Sequence, residues 1–211
     1  MIGNLLCRRS VLLGSLAGMI AIVREARTAA NPAVLAPIQR LNAALLDIMR
    51  AGRATPVQTR FTALAPVIDQ VFDLDTILRV SIGASWTTLP PPQQELLRQA
   101  FRRYTVVSYM NSFDEYNGQR FEVLPDTRPL SNGQQLVQTR IIPRNGGAHE
   151  LDYVMAPQGS AWRVVDVLAD GTISRVAVQR SDFRRLLSRG GATALAASLQ
   201  EKSADMAGGV G

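Results

Sequence analysis

The sequence is poor in the residues that carry covalent and metal chemistry. Its 211 residues include one cysteine, Cys7, and one histidine, His149. A single cysteine excludes a disulfide framework and a thiolate zinc site. A single histidine excludes a multi-histidine metal site and leaves little room for a hydrolytic triad. There is no Gly-x-Ser-x-Gly elbow, and the pair Gly146-Gly147 is predicted to lie in a hairpin rather than before a helix, where a phosphate loop would need it.

Basic charge is abundant but it is not concentrated. Lysine and arginine number 23 against 17 aspartates and glutamates, which gives a net charge of +6 and a sequence pI of about 10.4. Lys202 is the one lysine, and the arginines are scattered without a long run of like charges. A dedicated nucleic-acid surface is therefore not expected. The hydrophobic content of 46% and the charged content of 19% are those of an ordinary globular domain.

The first 30 residues have the three parts of an export signal. Arg8 and Arg9 form a basic start, an apolar run covers 11–23, and small residues gather at 26–30. A helix of that apolar length rises only about 20 Å against a hydrocarbon core of roughly 30 Å, which argues against a membrane anchor. The paired arginines also resemble a twin-arginine pattern, and both export routes stay open. We expect a signal at 1–30, a single domain at 31–203, a flexible tail at 204–211, and a location in the periplasm.

Apolar residues recur at helical spacing through the first half of the expected domain. Gly52 is placed to end the first helix, and Thr55 is predicted to cap the second. Asp73 is predicted to cap a short third helix that Gly83 stops, which explains it better than a calcium loop does. The predicted helices cover 32–50, a segment that starts at 55–56 and extends through 72, 73–82, and 93–113.

The second half changes from helical spacing to alternation, and turn signals separate its apolar segments. The predicted strands cover 120–124, 135–142, 149–156 and 161–168, with 172–179 as a further extension of the sheet. Two helices are then predicted at 182–189 and 191–202. Helices followed by an antiparallel meander indicate the α+β class. We expect a helical layer on a curved antiparallel sheet of four or five strands, similar to NTF2-like and cystatin-like folds, which leaves either a pocket or a packed core between the layers.

Three strand residues are candidates for acid–base chemistry. Asp152, Tyr153 and Asp166 could abstract a proton in a cone-shaped pocket, in the way that a carboxylate and a tyrosine cooperate in ketosteroid isomerase. The alternative is that these carboxylates lie on the outer face of the sheet and pair with arginines there. His149 is expected to be an exposed polar residue of a strand rather than a catalytic base.

Short motifs, in order, resemble the MlaC and toluene-tolerance family of periplasmic lipid carriers. Together they extend from about residue 34 to 199, and their order and spacing are more specific than any one of them. They are VIDQVFDL at 67–74, GASW at 83–86 followed by PQQE at 92–95, FRRY at 101–104, YNG at 116–118, WRVVDV at 162–167, GTIS at 171–174, RSDF at 180–183 and GG at 190–191.

Other segments resemble one branch of that family, the hopanoid-associated HpnM branch. They are VSIG at 80–83, RRYT at 102–105, LDYVM at 151–155 and SRVAVQR at 174–180. The resemblance implies a carrier that is not an enzyme, needs no cofactor and holds a hopanoid or a glycerophospholipid between helices and sheet. It implies an inner-membrane transport complex as a partner, and possible exchange with an outer-membrane lipid complex.

The resemblance also implies which residues would form the walls of the lipid pocket. All are apolar or aromatic, and they come from the short helices, the long helix and the sheet in turn. They are Phe72, Leu74, Ile77, Leu78 and Trp86; Phe101, Tyr104 and Val107; and Phe121, Leu151, Tyr153, Trp162 and Val164.

Two other functions remain compatible with the sequence. One is a pocket enzyme that acts on a hydrophobic substrate with Asp152 or Asp166 as its base. The other is a scaffold subunit of an envelope complex, in which the same apolar residues fill a solid core. An open apolar cavity would favour the carrier over the scaffold, and the placement of the two carboxylates would test the enzyme.

Overall fold

The computed structural model describes residues 28–29 and 31–208, in which helices pack on one face of an antiparallel sheet. The helices are α1 (Pro32–Ala51), α2 (Val57–Val71), α3 (Leu74–Ile82), α4 (Pro91–Ser112) and α5 (Arg175–Gly208), with a short 3-10 helix at Gly83–Thr88. The strands are β1 (Thr28–Ala29), β2 (Arg120–Pro129), β3 (Gln135–Ile142), β4 (His149–Gln158), β5 (Ala161–Ala169) and β6 (Ile173–Ser174). The expected α+β class is confirmed.

The sheet is a meander in which each strand pairs with the next one along the chain. Four long strands form its body, and two-residue strands at either edge bring the number to six. The first of these, β1, pairs Thr28 with Thr127 and Ala29 with Asp126. It falls at the end of the segment predicted to be an export signal, the rest of which lies outside the described residues.

Local side-chain chemistry accounts for where the helices begin. The Asn31 carboxamide oxygen accepts a hydrogen bond from the Ala33 N–H, and the Asp73 carboxylate accepts one from the Thr76 N–H, both at 3.0 Å. The prediction for α2 was wrong by one residue, because Pro56 is its N-cap. The Thr55 hydroxyl instead donates to the Ala51 carbonyl and so closes the end of α1.

Helix α5 starts earlier and ends later than its sequence pattern predicts. Only Ile173–Ser174 of the segment 172–179 is a strand, so the prediction of a longer strand there was wrong. The Ser174 hydroxyl accepts the Ala177 N–H at 3.0 Å, and this cap starts the helix at Arg175. The helix breaks at Gly190–Gly191, as the pattern predicts, and then continues to Gly208, which takes in the first part of the segment expected to be a tail.

A bulge in β5 fastens the helical layer to the sheet. Val154 pairs with Asp166 and Met155 pairs with Val164, so Val165 is an extra residue with no partner of its own on β4. The Val164 carbonyl accepts the Asp73 N–H at 2.9 Å, at the link between α2 and α3. The bulge therefore fixes where α3 begins above the sheet.

The core lies between the two layers. At the α1–α2 end it is made of fully buried aliphatic side chains, such as those of Ile38, Leu41, Leu45, Leu64 and Ile68. Within the described part of the chain, no helix is both long and apolar enough to cross a membrane.

Candidate functional site

A cavity of about 270 Å³, partly open to the surface, lies at the other end of the core. It is enclosed by α3, α4, the first turns of α5 and the helix-facing side of the sheet. The lining residues are Phe72, Leu74, Ile77, Phe101, Tyr104, Thr105, Ser108, Tyr109, Ser112, Phe113, Ile141, Leu151, Asp166, Val167, Ala169, Arg175, Val176 and Gln179. Most of them are apolar, which is typical of a pocket for a small organic or lipid-like ligand.

Helix α4 creates the space by the size of its side chains. Its cavity-lining residues follow one another at helical steps from Phe101 to Ser112, so they form one face. Thr105, Ser108 and Ser112 on that face have short side chains, which leave a gap where leucine or phenylalanine would fill the core. The sequence therefore places small groups opposite the sheet at the one end where the core is hollow.

Aromatic rings form the wall at the carboxyl end of α4. The rings of Phe72 and Tyr109 meet edge to face with centroids 5.4 Å apart, and Tyr109 stacks on Phe113 at 6.0 Å. Phe113 in turn contacts Phe121 at 5.6 Å. Such ring pairs add to the stability that burial alone provides.

The phenols of Tyr109 and Tyr153 are both buried, and they lie close enough together for each to affect the pKa of the other. Burial raises the pKa of both phenols, since the phenolate would lose its hydration. Both phenols are therefore neutral at physiological pH.

Asp166 lines the cavity but its carboxylate is occupied by structural hydrogen bonds. It accepts the Val167 N–H at 2.7 Å, the Val176 N–H at 3.1 Å and the Ser174 hydroxyl. Two of these groups belong to the start of α5, so Asp166 holds the helix terminus in place. Three of its roughly four lone-pair sites are therefore engaged within the protein, and the main role that the geometry gives Asp166 is to hold the start of α5.

Asp152 lies on the other face of the sheet. Leu151 and Tyr153 point toward the helices, and alternation turns Asp152 away from them and from the cavity. Its side chain is 3% exposed and accepts the Thr139 N–H at 3.1 Å. Burial raises the pKa of Asp152, while the hydrogen bond from Thr139 lowers it by a smaller amount. Asp152 is therefore not placed to act on a molecule in the cavity, and the carboxylate of Asp166 is engaged in structural hydrogen bonds.

A second cleft of about 250 Å³ lies directly behind the wall of the first cavity. Phe72, Leu74 and Phe101 line both spaces, so these three side chains separate them. Two partly exposed ion pairs lie beside the cleft and join α4 to the other helices, Arg102–Asp69 at 2.6 Å and Arg98–Asp75 at 2.9 Å. Pairs of this exposure contribute about 0–1 kcal/mol each, so they close the cleft only weakly.

Six of the thirteen residues predicted as pocket walls line the cavity, and they come from all three predicted sources. These six are Phe72, Leu74, Ile77, Phe101, Tyr104 and Leu151. Leu78 lines the second cleft instead. The other six lie outside the lining of both spaces: Trp86, Val107, Tyr153 and Val164 are buried, and Phe121 and Trp162 are half-buried.

Apart from Asp166, the polar residues of the cavity and part of its floor were not predicted from the sequence. Val167 and Ala169 were missed because the bulge at Val165 shifts the alternation of β5 by one residue. Arg175 and Gln179 were missed because their segment was predicted to be a strand. Tyr109 could have been found, since it lies eight residues after Phe101 and so on the same helical face.

Comparison with known proteins decides the family. A family model described as "MlaC protein" matches residues 39–201, which include the whole cavity lining. The chain belongs to the MlaC family. Among individual proteins, the toluene tolerance protein Ttg2D of Pseudomonas putida is 25% identical over 133 residues, which is 62% of this chain and 60% of that protein's length.

A solved structure shows the same fold. It is that of a phospholipid-binding protein from Ralstonia solanacearum in complex with a phospholipid. The two chains superpose with a TM-score of 0.69 over 85% of this chain and 99% of the other, at 21% sequence identity. The arrangement of helices on an open antiparallel sheet is thus shared with that phospholipid-binding structure.

Proposed function

We propose that this MlaC-family chain is a lipid carrier that holds lipid tails in the cavity between α4 and the sheet. The main support is the cavity itself, which is apolar inside, polar at one edge and open to the surface. Its family membership and the phospholipid named for the similar Ralstonia protein favour the same function. Carriage of this kind needs no nucleophile or metal, in keeping with the occupied carboxylate of Asp166.

The energetics of tail burial explain why a carrier would be needed. Hiding about 30 methylenes of two acyl tails, at about 0.8 kcal/mol each, is worth up to about 24 kcal/mol relative to water. Release into water would be negligibly slow, but transfer between a dry cavity and a bilayer is close to neutral. A docking partner then sets the direction of transfer by its differential affinity for the loaded and empty carrier.

The size of the cavity limits how the cargo enters. A volume of about 270 Å³ is slightly below the roughly 300–1,000 Å³ of ordinary ligand pockets. A two-tailed lipid needs more room than this, and the second cleft lies behind the three shared side chains. We infer that loading displaces Phe72, Leu74 and Phe101 and joins the two spaces.

The place and the partners of the carrier are proposed from the family and the motifs. The chain acts in the periplasm after loss of its signal, and it exchanges lipid with an inner-membrane transport complex and with a lipid complex of the outer membrane. The resemblance to the HpnM branch favours a hopanoid as cargo, whereas the Ralstonia structure favours a glycerophospholipid.

The experiment that tests carriage is organic extraction of the purified protein followed by mass spectrometry. We expect stoichiometric lipid from the wild-type protein and several-fold less from Ser108→Phe, because a ring at this position fills the gap on α4. Ser108→Ala is the matched control, since it removes the hydroxyl without filling the cavity, and it should keep its lipid. Thermal unfolding of all three checks that Ser108→Phe is folded. Wild-type protein that carries no lipid and refuses added lipid would contradict the proposal.

A further inference from the structure

Arg175 is a cavity-lining charge that has no partner within the described part of the chain. It is the first residue of α5, it is exposed, and no hydrogen bond or ion pair joins it to another described residue. Asp166 is the other charged residue of the lining, and its hydrogen bonds come from Ser174 and backbone N–H groups rather than from Arg175. The positive charge at the cavity edge is therefore not neutralised locally.

Two other arginines of α5, Arg180 and Arg185, make contacts within the protein. Arg185 pairs with Asp182 at 2.9 Å. The guanidinium of Arg180 packs against Gly83, where its nearest nitrogen lies 3.4 Å from the point that a side chain would occupy. Gly83 ends α3, and a cation is stabilised beside the carboxyl end of a helix. Arg175 differs from both because it lines the cavity.

The surroundings of Arg175 supply further hydrogen-bond donors. Gln179 lies one turn further along α5 and also lines the cavity. The Ser81 hydroxyl donates to the Ile77 carbonyl at 2.8 Å and lies 3.3 Å from the Gln179 carboxamide oxygen. The side-chain N–H groups of Gln179 donate to no other described residue and are available as donors. Ser112 contributes an exposed hydroxyl from α4. One edge of the cavity thus combines a cation with neutral donors.

The same edge meets the apolar wall at Tyr109. Burial raises the pKa of the Tyr109 phenol, and the positive charge of the nearby Arg175 lowers it by a smaller amount. Tyr109 packs on Phe72 and Phe113, which belong to the apolar lining. A molecule that spans the edge and the interior must therefore carry an anionic group next to its hydrocarbon part.

We propose that Arg175, assisted by Gln179, binds the phosphate of the cargo lipid, so that the cavity selects phosphate-bearing lipids over uncharged lipids with the same tails. The proposal rests on the carrier function and makes Arg175 a specificity-determining residue. A guanidinium offers two parallel N–H donors that match two phosphate oxygens, which an uncharged lipid does not provide.

The test is a competition between two lipids that differ only in the phosphate-bearing headgroup. Delipidated protein is incubated with equal amounts of dioleoyl phosphatidylglycerol and dioleoylglycerol in uncharged detergent micelles, purified again, and its lipid is quantified by mass spectrometry. We expect the wild-type protein to prefer phosphatidylglycerol by about tenfold or more, as for hydrogen bonds to a charged group. Arg175→Gln should lose most of this preference and still take up dioleoylglycerol.

Arg184→Gln is the matched control, because it removes the same charge from an exposed position of α5 outside the cavity lining. It should keep the wild-type preference.

Equal preference in wild-type and Arg175→Gln protein would overturn the proposal while leaving lipid carriage intact. Uptake of neither lipid by the wild-type protein would instead refute the carrier function. In a third arm, glycerol 3-phosphate is added at the same concentration as each lipid. Complete loss of the preference at this concentration would show that the site prefers free phosphate esters to a lipid headgroup, which would also overturn the proposal.

Discussion

The two ends of the interior differ although both are covered by helices. Under α1 and α2 the core is solid, and Leu41, Leu45 and Leu64 are fully buried among other aliphatic side chains. Under α4 and the start of α5 the same kinds of residue surround a cavity. The comparison teaches that apolar content alone does not make a pocket.

The difference lies in a few positions on the helix faces. The buried face of α1 consists mostly of branched aliphatic residues, whereas the face of α4 contains Thr105, Ser108 and Ser112 among its aromatic residues. Large rings hold the layers apart and small hydroxyl residues leave the space between them empty. A solid end can then supply the stability that a hollow end lacks.

The largest effect is expected at the solid end. Leu41→Ala should lower the free energy of unfolding by about 2–5 kcal/mol, because it leaves a cavity among side chains that cannot collapse into it. Urea unfolding monitored by circular dichroism measures the change. A loss below about 1 kcal/mol would mean that this end is not closely packed.

The same substitution at the hollow end should cost less. Leu151 lines the cavity and is half-buried, so part of its surface has no packing partner to lose. Leu151→Ala should lower the free energy of unfolding by about 1 kcal/mol, and it should retain bound lipid because the cavity becomes wider. If Leu151→Ala lowers the free energy of unfolding as much as Leu41→Ala does in the same urea experiment, the two ends do not differ in packing.

The smallest effect concerns the outer face of the sheet, which belongs to neither end. Since burial raises the pKa of Asp152, the folded protein loses stability as the pH rises from the ordinary Asp value of about 3.9 through the raised value. Asp152→Asn has no charge to bury, so its urea midpoint at pH 7 should exceed that of the wild-type protein.

The gain from Asp152→Asn should disappear below about pH 4, where both side chains are neutral. Asp205→Asn, at an exposed position near the end of α5, is the matched control and should shift the midpoint little at either pH. A lower midpoint for Asp152→Asn at pH 7 would show that the ionised carboxylate is stabilising.

Much of the fold could be predicted from periodicity, because α1, α4 and the four long strands each bury one regular face. The cap at Asp73 and the stop at Gly83 are local chemistry that the sequence shows directly. The site was less predictable. The apolar pattern of α4 is the same whether its face touches other side chains or an empty space, and only the packing of the opposite layer distinguishes the two.

The start of α5 shows why the polar edge escaped prediction. The segment from Ile173 to Gln179 alternates well enough to look like a strand. Its helical conformation depends on Asp166, which lies on the preceding strand β5 and accepts hydrogen bonds from Ser174 and Val176. The position of Asp166 itself depends on the bulge in β5. Tertiary contacts therefore decided both the helix and the cavity edge that it carries.

The unpaired residue of β5 also makes pairing register matter more than side-chain identity at this point. Val165 could be exchanged for another residue with little consequence, but a ladder in which Val165 paired with Val154 would turn Val167 and Ala169 outward. The cavity would then lose part of its floor.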